Sequence, residues 1–521
     1  MRKLSGLIGS TAVFGAMTLL SRLAGFARDV LQARLFGAGG LVDAFTVAYQ
    51  VPNYLRRIFA EGSFASAFVP VLSELRQKGD EVALRSFVDH VAGALCAVLL
   101  LVTGLGMLAA PWIAALMAPG FASEPGKLAL TGEMLRIVFP YLFFVSMTAF
   151  AGGVLNSFQR FALPALTPVL HNLAVIAAML WLASHLERPV MALAWGVLAA
   201  GAIQMLVLWP ALRRVGLFPR LRFDFRHPGV RRVFKLMLPT LFSSSVAQLN
   251  LIVGTIFASL LVEGSRAYLY YSDRLVELPL GLFGVALGTV ILPHLSRRHA
   301  DTDAAGFSDA LDWGLRTVLL GAVPAALGLL TLAEPLVATI YQRGEFDAHA
   351  TTMTALSLSA LSLAIPAFML TKVLAPAFYA RQDTKTPMRA AIITVFLNVG
   401  LIALITTPLW HYGIIGAHAG IALATALAGI GNAVLLWRYL RRDGVWQPAQ
   451  GWGRALARIL LAGAAMVVVL IALRMGPWDW RALHGLWRWS WLFGTILAGA
   501  ATYGAVLLAS GWRPRELRHA A

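Results

Sequence analysis

Apolar runs long enough to span a bilayer follow one another along this whole 521-residue chain, and no polar stretch between them could build an independent soluble core. In hydrocarbon each backbone N–H and C=O must find its partner within the protein, which leaves only helices or a closed barrel. A barrel strand needs roughly ten residues of alternating polarity. Runs such as Ala92–Ala118 and Leu311–Ile340 are instead apolar on every side. The chain is therefore expected to be an all-α polytopic membrane protein forming one membrane-embedded body. With 59% hydrophobic and 13% charged residues, against about 45–50% and 25% in soluble domains, a soluble fold is excluded.

Segmentation at charges, prolines and glycines predicts about fourteen spans, at 9–33, 41–60, 88–112, 131–156, 162–184, 190–211, 234–260, 268–294, 311–341, 351–379, 388–408, 413–438, 455–475 and 487–510. The opening Met1-Arg2-Lys3 and its apolar continuation look superficially like a secretory leader. No convincing small-x-small cleavage site precedes Arg22, however, and helix-compatible sequence runs to about Phe36, so this segment is read as the first span. An even count puts both termini on one side. The connection Arg213–Lys235 carries Arg213, Arg214, Arg220, Arg222, Arg226, Arg231, Arg232 and Lys235 against Asp224 alone. Arg297/Arg298, Arg381/Lys385/Arg389, Arg438/Arg441/Arg442 and Arg513/Arg515/Arg518 fall on the same side, which the positive-inside rule makes cytoplasmic. The formal charge of +18 is thereby explained by topology and anionic lipid, and nucleic-acid binding is not expected.

The chain also repeats. Pro70 in Phe68–Ser73 has a counterpart in Pro293 (293 − 70 = 223), and Pro164, which follows Gln159-Arg160, has one in Pro387 after Arg381-Gln382 (387 − 164 = 223). An offset spanning six helices, an even number, gives two copies of the same orientation, a parallel repeat. Three parts are predicted: a six-helix bundle at 1–213, a basic loop and second six-helix bundle at 214–442, and a two-helix hairpin at 443–521. Two bundles facing a central cavity is the arrangement that permits alternating access.

The informative residues are ionisable groups within the spans, because an unpaired charge in lipid is costly and such residues face a polar cavity or each other. Arg22 and Arg28 lie about 120° apart on the first helix, with Gly25 between them offering a bend, and Asp29 can neutralise only one of them. Asp43 and Arg56 mark opposite ends of the second span, about 20 Å apart, with Arg57 and Glu61 beside Arg56. In the second copy Asp273 and Glu277 share a helical face and could position Arg274. Lys372 is a lone cation in its span. Basic groups thus outnumber acids around the expected cavity, and arginine's planar fork suits a diphosphate. The acids lack accompanying histidines and Cys96 stands alone, so neither a metal nor an intrachain disulfide is expected. No P-loop, dinucleotide fingerprint, HExxH or nucleophile elbow stands in a matching context.

Six motifs together resemble a known family: SRLAGFARD (Ser21–Asp29), FGAGGLVD (Phe36–Asp43), PNYLRRIFAEGSFASAF (Pro52–Phe68), YYSDRLVELP (Tyr270–Pro279), GVALGTVILP (Gly284–Pro293) and VLAPAFYARQDTKTP (Val373–Pro387). They are similar to those of the MurJ/MviN-type bacterial lipid II flippases, within the multidrug/oligosaccharidyl-lipid/polysaccharide exporter superfamily. The resemblance implies a non-enzymatic transporter that moves lipid-linked peptidoglycan precursor across the inner membrane in cell-wall biogenesis. It implies substrate binding by Arg22, Arg28, Arg56, Arg57 and Arg274, with Asp29, Asp43, Glu61, Asp273 and Glu277 gating or supporting them, and a tail groove formed by the final hairpin. It implies no cofactor, leaves room for a monovalent ion and membrane-potential coupling, and suggests a functional monomer among anionic lipids and cell-wall synthesis proteins. The competing readings are an exporter of another lipid-linked glycan, drug or metabolite, which would not need the hairpin or these arginines, and a glycan polymerase or ligase, which would need a committed acid, base or nucleophile.

Overall fold

The computed structural model describes residues 2–57, 64–476 and 480–513, with backbone alone over 2–14, 239–240, 242–247 and 282–290. Among these residues every regular element is a helix. The chain divides into two compact units, Met1–Arg266 and Ala267–Ala521.

The first unit holds α1 (Arg2–Phe36), α2 (Gly40–Arg56), α3 (Ala65–Gln77), α4 (Glu81–Leu108), α5 (Ala110–Met117), α6 (Pro125–Val138), α7 (Tyr141–Ser157), α8 (Ala162–Ala177), α9 (Met191–Arg213) and α10 (Pro228–Ser259). Helix α1 packs on α8, α2 on α6, and α7 and α8 on α9. Helix α10 packs on α3 and α4, so the compact unit extends past the 213/214 position at which the sequence repeat turns over. Phe64, Phe68, Phe87 and Phe150 stack at the heart of its core. Helix α3 was not anticipated; it buries Ala67, Phe68, Val71 and Leu72 along one side, a stripe too short to register as a span.

The second unit contains nearly all of α11 (Ser265–Ala300), then α12 (Ala304–Thr331), α13 (Ala333–Ile340), α14 (Ala348–Ser362), α15 (Ile365–Ala380), α16 (Lys385–His411), α17 (His418–Arg442), α18 (Trp452–Arg474) and α19 (Gly485–Ala509). Helix α12 packs on α14, α15 and α18, while α14, α15 and α16 pack on α17. The hairpin α18–α19 closes a small core with Leu332, and Tyr503 donates to the Leu320 carbonyl at 2.9 Å. Arg474 and Arg481 both bond Glu334, at 2.7 and 3.0 Å, and hold the hairpin's other end.

Nine described helices are long and apolar enough to cross a membrane, or ten if the pair α14–α15, bent by 41°, is one span. The expected continuous segments 311–341 and 351–379 are broken, at Leu332 and Leu363–Ala364, whereas 131–156 lies within one span, Pro125–Ser157, that carries a local turn at Phe139–Pro140. Proline is the local cause at the second break, where Pro366 opens α15. The lipid-facing character is direct: Leu100, Leu101, Phe396, Leu460 and Phe493 are exposed on their helices.

The 223-residue offset recurs in the backbone. Helix α12 begins and ends 223 residues after α4 (304 − 81 and 331 − 108), and α13 does so after α5 (333 − 110 and 340 − 117). Asp80 and Asp303 cap the first pair, accepting from the Ala83 and Gly306 amides at 2.9 and 2.8 Å. Gln159 and Gln382 take the same left-handed conformation after α7 and α15, at φ 60° and 59°. Buried Asp89 and Asp312, also 223 apart, each hold a polar linker: Asp89 accepts from the Arg220 amide at 2.8 Å, and Asp312 from the Ala449 amide at 3.2 Å and Trp452 Nε1 at 2.5 Å.

Candidate functional site

Arg28 lies on the buried side of α1, and its guanidinium folds back on its neighbour. Nε and Nη2 donate to Asp29 Oδ1 at 3.2 and 2.7 Å, and Nη1 donates to Asn172 Oδ1 of α8 at 3.1 Å. Asn172 in turn donates through Nδ2 to the Ser21 carbonyl at 3.1 Å. One amide therefore ties α8 to α1 at two points. Gly25 sits at this crossing, where a Cβ would stand 3.4 Å from Asn172 Nδ2, at the edge of ordinary contact, and it does not bend the helix, which is continuous to Phe36.

These residues open onto a cavity of about 460 Å³, whose wall includes Arg28, Arg56, Tyr49, His171, Asn172 and Gln204. Two of the arginines singled out in the sequence thus share one wall. Arg56 is steadied by a neutral group, donating from Nε and Nη2 to Asn53 Oδ1 at 3.1 and 2.9 Å. Arg28 thus stands beside Asp29, and Arg56 beside Asn53, on one cavity wall, where a guanidinium's planar fork can meet an anion's oxygens.

Asp43, as its distance along the helix requires, does not pair with Arg56. It is buried, and its Oδ2 accepts from Lys127 Nζ at 3.1 Å and from the Gly264 amide at 2.8 Å. The salt bridge therefore fastens α2 to α6, and the amide bond fastens α2 to the turn after α10. Lys127 also stands 4.2 Å over the Phe121 ring. Arg22 and Arg57 are exposed, and Glu61 lies outside the described residues. In the second unit Arg274 bonds Glu277 at 2.9 Å and lies 5.0 Å over the Tyr270 ring, while Asp273 and Lys372 are exposed. Sequence reasoning missed Asn172 and Lys127, because their partners Arg28 and Asp43 are 144 and 84 residues away, and the local signal at Lys127, its i,i+3 pairing with Glu124, points to the helix end and not to Asp43.

Outside the spans, Glu74 of α3 receives Arg232 of α10 and Lys78, each at 2.7 Å. Hydrogen bonds from Arg232 first and Lys78 second lower its pKa to about 2. Among the described residues no three His, Cys, Asp or Glu side chains gather to hold a metal.

A polytopic helical membrane fold whose helix bounds recur at one offset, with arginines lining a cavity in its first unit, defines the class, and this fold is shared with solved transporters of the multidrug/oligosaccharidyl-lipid/polysaccharide superfamily. The fold matches an inward-facing multidrug MATE transporter of that superfamily with a TM-score of 0.66 over 83% of this chain and 98% of the other, at 14% identity. It matches a structure described as lipid II flippase MurJ, inward closed conformation, more fully, with a TM-score of 0.79 and 27% identity over 95% of this chain and 98% of that one. The model of the family "Lipid II flippase MurJ" matches residues 32–483. The chain is 41% identical to lipid II flippase MurJ of Burkholderia cenocepacia, covering 97% of each. It is 40% identical to a probable lipid II flippase MurJ of Vibrio cholerae, over 99% of this chain and 98% of that one. The chain belongs to the lipid II flippase MurJ family.

Proposed function

We propose that this protein is the flippase that carries lipid-linked peptidoglycan precursor from the cytoplasmic to the periplasmic leaflet of the inner membrane by alternating access. The carrying observation is the arginine-lined cavity of the first unit, in a chain that belongs to this family along most of its length. A diphosphate supplies the compensation that membrane-depth guanidiniums need, and it forms charge-assisted, bidentate hydrogen bonds with them. Arg28 and Arg56 are assigned to that group together with Arg22, Arg57 and Arg274. Asp29, Asp43, Glu61, Asp273 and Glu277 are assigned to gating and support.

The same reading takes the helices as fourteen spans, two parallel six-helix copies and an appended pair, with both termini cytoplasmic. The recurrence of helix bounds and caps at one offset supports the copies. The hairpin α18–α19, anchored at both ends yet broadly exposed between them, is assigned to the substrate's polyisoprenyl tail. Coupling to membrane potential, with a monovalent ion as a further source of drive, and function as a monomer complete the proposal.

The test is reconstitution of the purified protein with labelled lipid II and measurement of headgroup accessibility on each leaflet. Arg-to-Ala at Arg22, Arg28 or Arg274 should abolish flipping at normal membrane abundance, and Arg-to-Lys should rescue it only in part, because lysine keeps the charge and loses the fork. A double Arg22→Ala/Arg274→Ala variant that folds normally and flips at the unmodified rate would sink the diphosphate assignment.

A further inference from the structure

The second unit carries two adjoining features that the reading above does not use. One, a cavity of about 540 Å³, lies among α12, α15, α17, α18 and the 443–451 linker, within the ~300–1,000 Å³ range of ligand pockets. Leu319, Leu370, Val434, Trp446 and Trp452 typify its wall, and its one charged member is Arg441. The other is an open, shallow face along the last turns of α17 that presents Arg438, Arg441 and Arg442. Trp437 and Arg441 belong to both, so an apolar chamber and a basic face meet at one aromatic–guanidinium pair, 5.6 Å apart.

The boundary is firmly built. Trp437, Trp446 and Trp452 form an edge-to-face chain at 6.3 and 5.8 Å. Asp312 pins the linker as described above and also pairs with Arg316 at 2.8 Å. Ser308 Oγ exchanges hydrogen bonds with the Gln447 carbonyl and amide at 3.1 and 2.9 Å, and Arg316 Nη2 donates to the Ala449 and Gln450 carbonyls. None of Arg438, Arg441 and Arg442 is in an ion pair among the described residues. A helix C-terminus carries only about half a negative charge. Three unneutralised arginines exceed what that dipole requires, and neither the dipole nor topology explains the chamber beside them.

We propose that the chamber and the face together bind an anionic glycerophospholipid of the surrounding leaflet, with its phosphate on Arg438, Arg441 and Arg442 and one acyl chain in the tryptophan-lined chamber. The apolar wall suits a hydrocarbon chain, the arginines complement the phosphate, and tryptophans are enriched at headgroup depth. A soluble anion would leave the chamber unfilled. A bulky glycan headgroup would find almost no polar partners in it.

Native mass spectrometry of the full chain released from bilayers of equal phosphatidylglycerol and phosphatidylcholine tests this without any transport step. One retained phosphatidylglycerol is expected on the unmodified protein. Arg438→Gln/Arg441→Gln/Arg442→Gln should lower its retention about tenfold or more, and the triple lysine variant should hold it within about threefold, since charge is what selects the headgroup. Leu370→Trp, which fills the chamber, should release the lipid while the three arginines remain. The glutamine changes are on exposed side chains, so an unaltered thermal melt is expected there even where Leu370→Trp fails to fold. Equal retention of the two lipids, undiminished retention in the triple glutamine variant, or displacement of the phospholipid by one equivalent of lipid II would overturn the proposal, the last by making this a substrate-tail site.

Discussion

Replacing Arg28 separates two roles that its position combines. The Arg28 and Asp29 side chains are 10% and 5% exposed and 2.7 Å apart, so water screens their attraction little. Arg28→Ala removes the guanidinium from a buried carboxylate and takes a donor from Asn172. Breaking a buried pair by removing one partner costs about 3–5 kcal/mol, whereas replacing both with apolar residues of similar volume is often neutral or stabilising. Arg28→Ala should therefore lose both stability and flipping. Arg28→Met combined with Asp29→Leu should regain most of the stability and remain inactive, because the proposed diphosphate site loses its guanidinium on α1 and Arg56 alone cannot replace it. Chemical denaturation of the purified protein measures the first quantity, and leaflet accessibility of labelled lipid II, measured on the same preparations, gives the second. A double variant that flips at the unmodified rate would refute a substrate role for Arg28. An Arg28→Ala protein as stable as the parent would refute the buried pair.

Asn172→Ala removes the two hydrogen bonds that Asn172 makes to α1, and at about 0.5–1.5 kcal/mol each denaturation should show a loss of roughly 1–3 kcal/mol. Lys127→Met leaves Asp43 buried without its ammonium and should cost about 3–5 kcal/mol, with Asp43→Asn in the same chain recovering part of it in the same measurement. Gly93→Ala would place a Cβ 2.2 Å from the Arg222 carbonyl oxygen; because the obstacle is backbone, the 214–227 linker must leave Asp89, and limited proteolysis should cut the linker faster. The Glu74 pKa is depressed when folded, to about 2 from 4.5, so its contribution is fully present above about pH 4.5 and is lost as pH falls toward 2. Glu74→Gln should lower stability modestly above about pH 4.5, flatten the acid limb in that window and converge with the parent as pH nears 2.

The helical, membrane-spanning character was legible in the sequence because hydropathy is a local property, readable within a window of about twenty residues. The 223-residue offset was legible for a related reason: Pro164 and Pro387 each stand in the first turn of a helix, so their spacing anticipated the matched left-handed turns at Gln159 and Gln382. The charge balance around Arg28 could also be read, since Asp29 is its neighbour in the chain. The break at Leu363–Ala364 lies in an apolar run in which Pro366 is the one local signal, and proline within a hydrophobic span does not by itself end it. Short α3 fell below the length at which a stripe is distinctive. Asn172 and Lys127 could not be assigned from pattern at all. Each is an ordinary residue on its own helix, and only tertiary packing, which brings α8 against α1 and α6 against α2, turns it into the partner of a buried charge. The sequence determined which groups must be compensated in lipid; the tertiary structure decided which residues compensate them, because that pairing depends on contacts between helices that no local periodicity encodes.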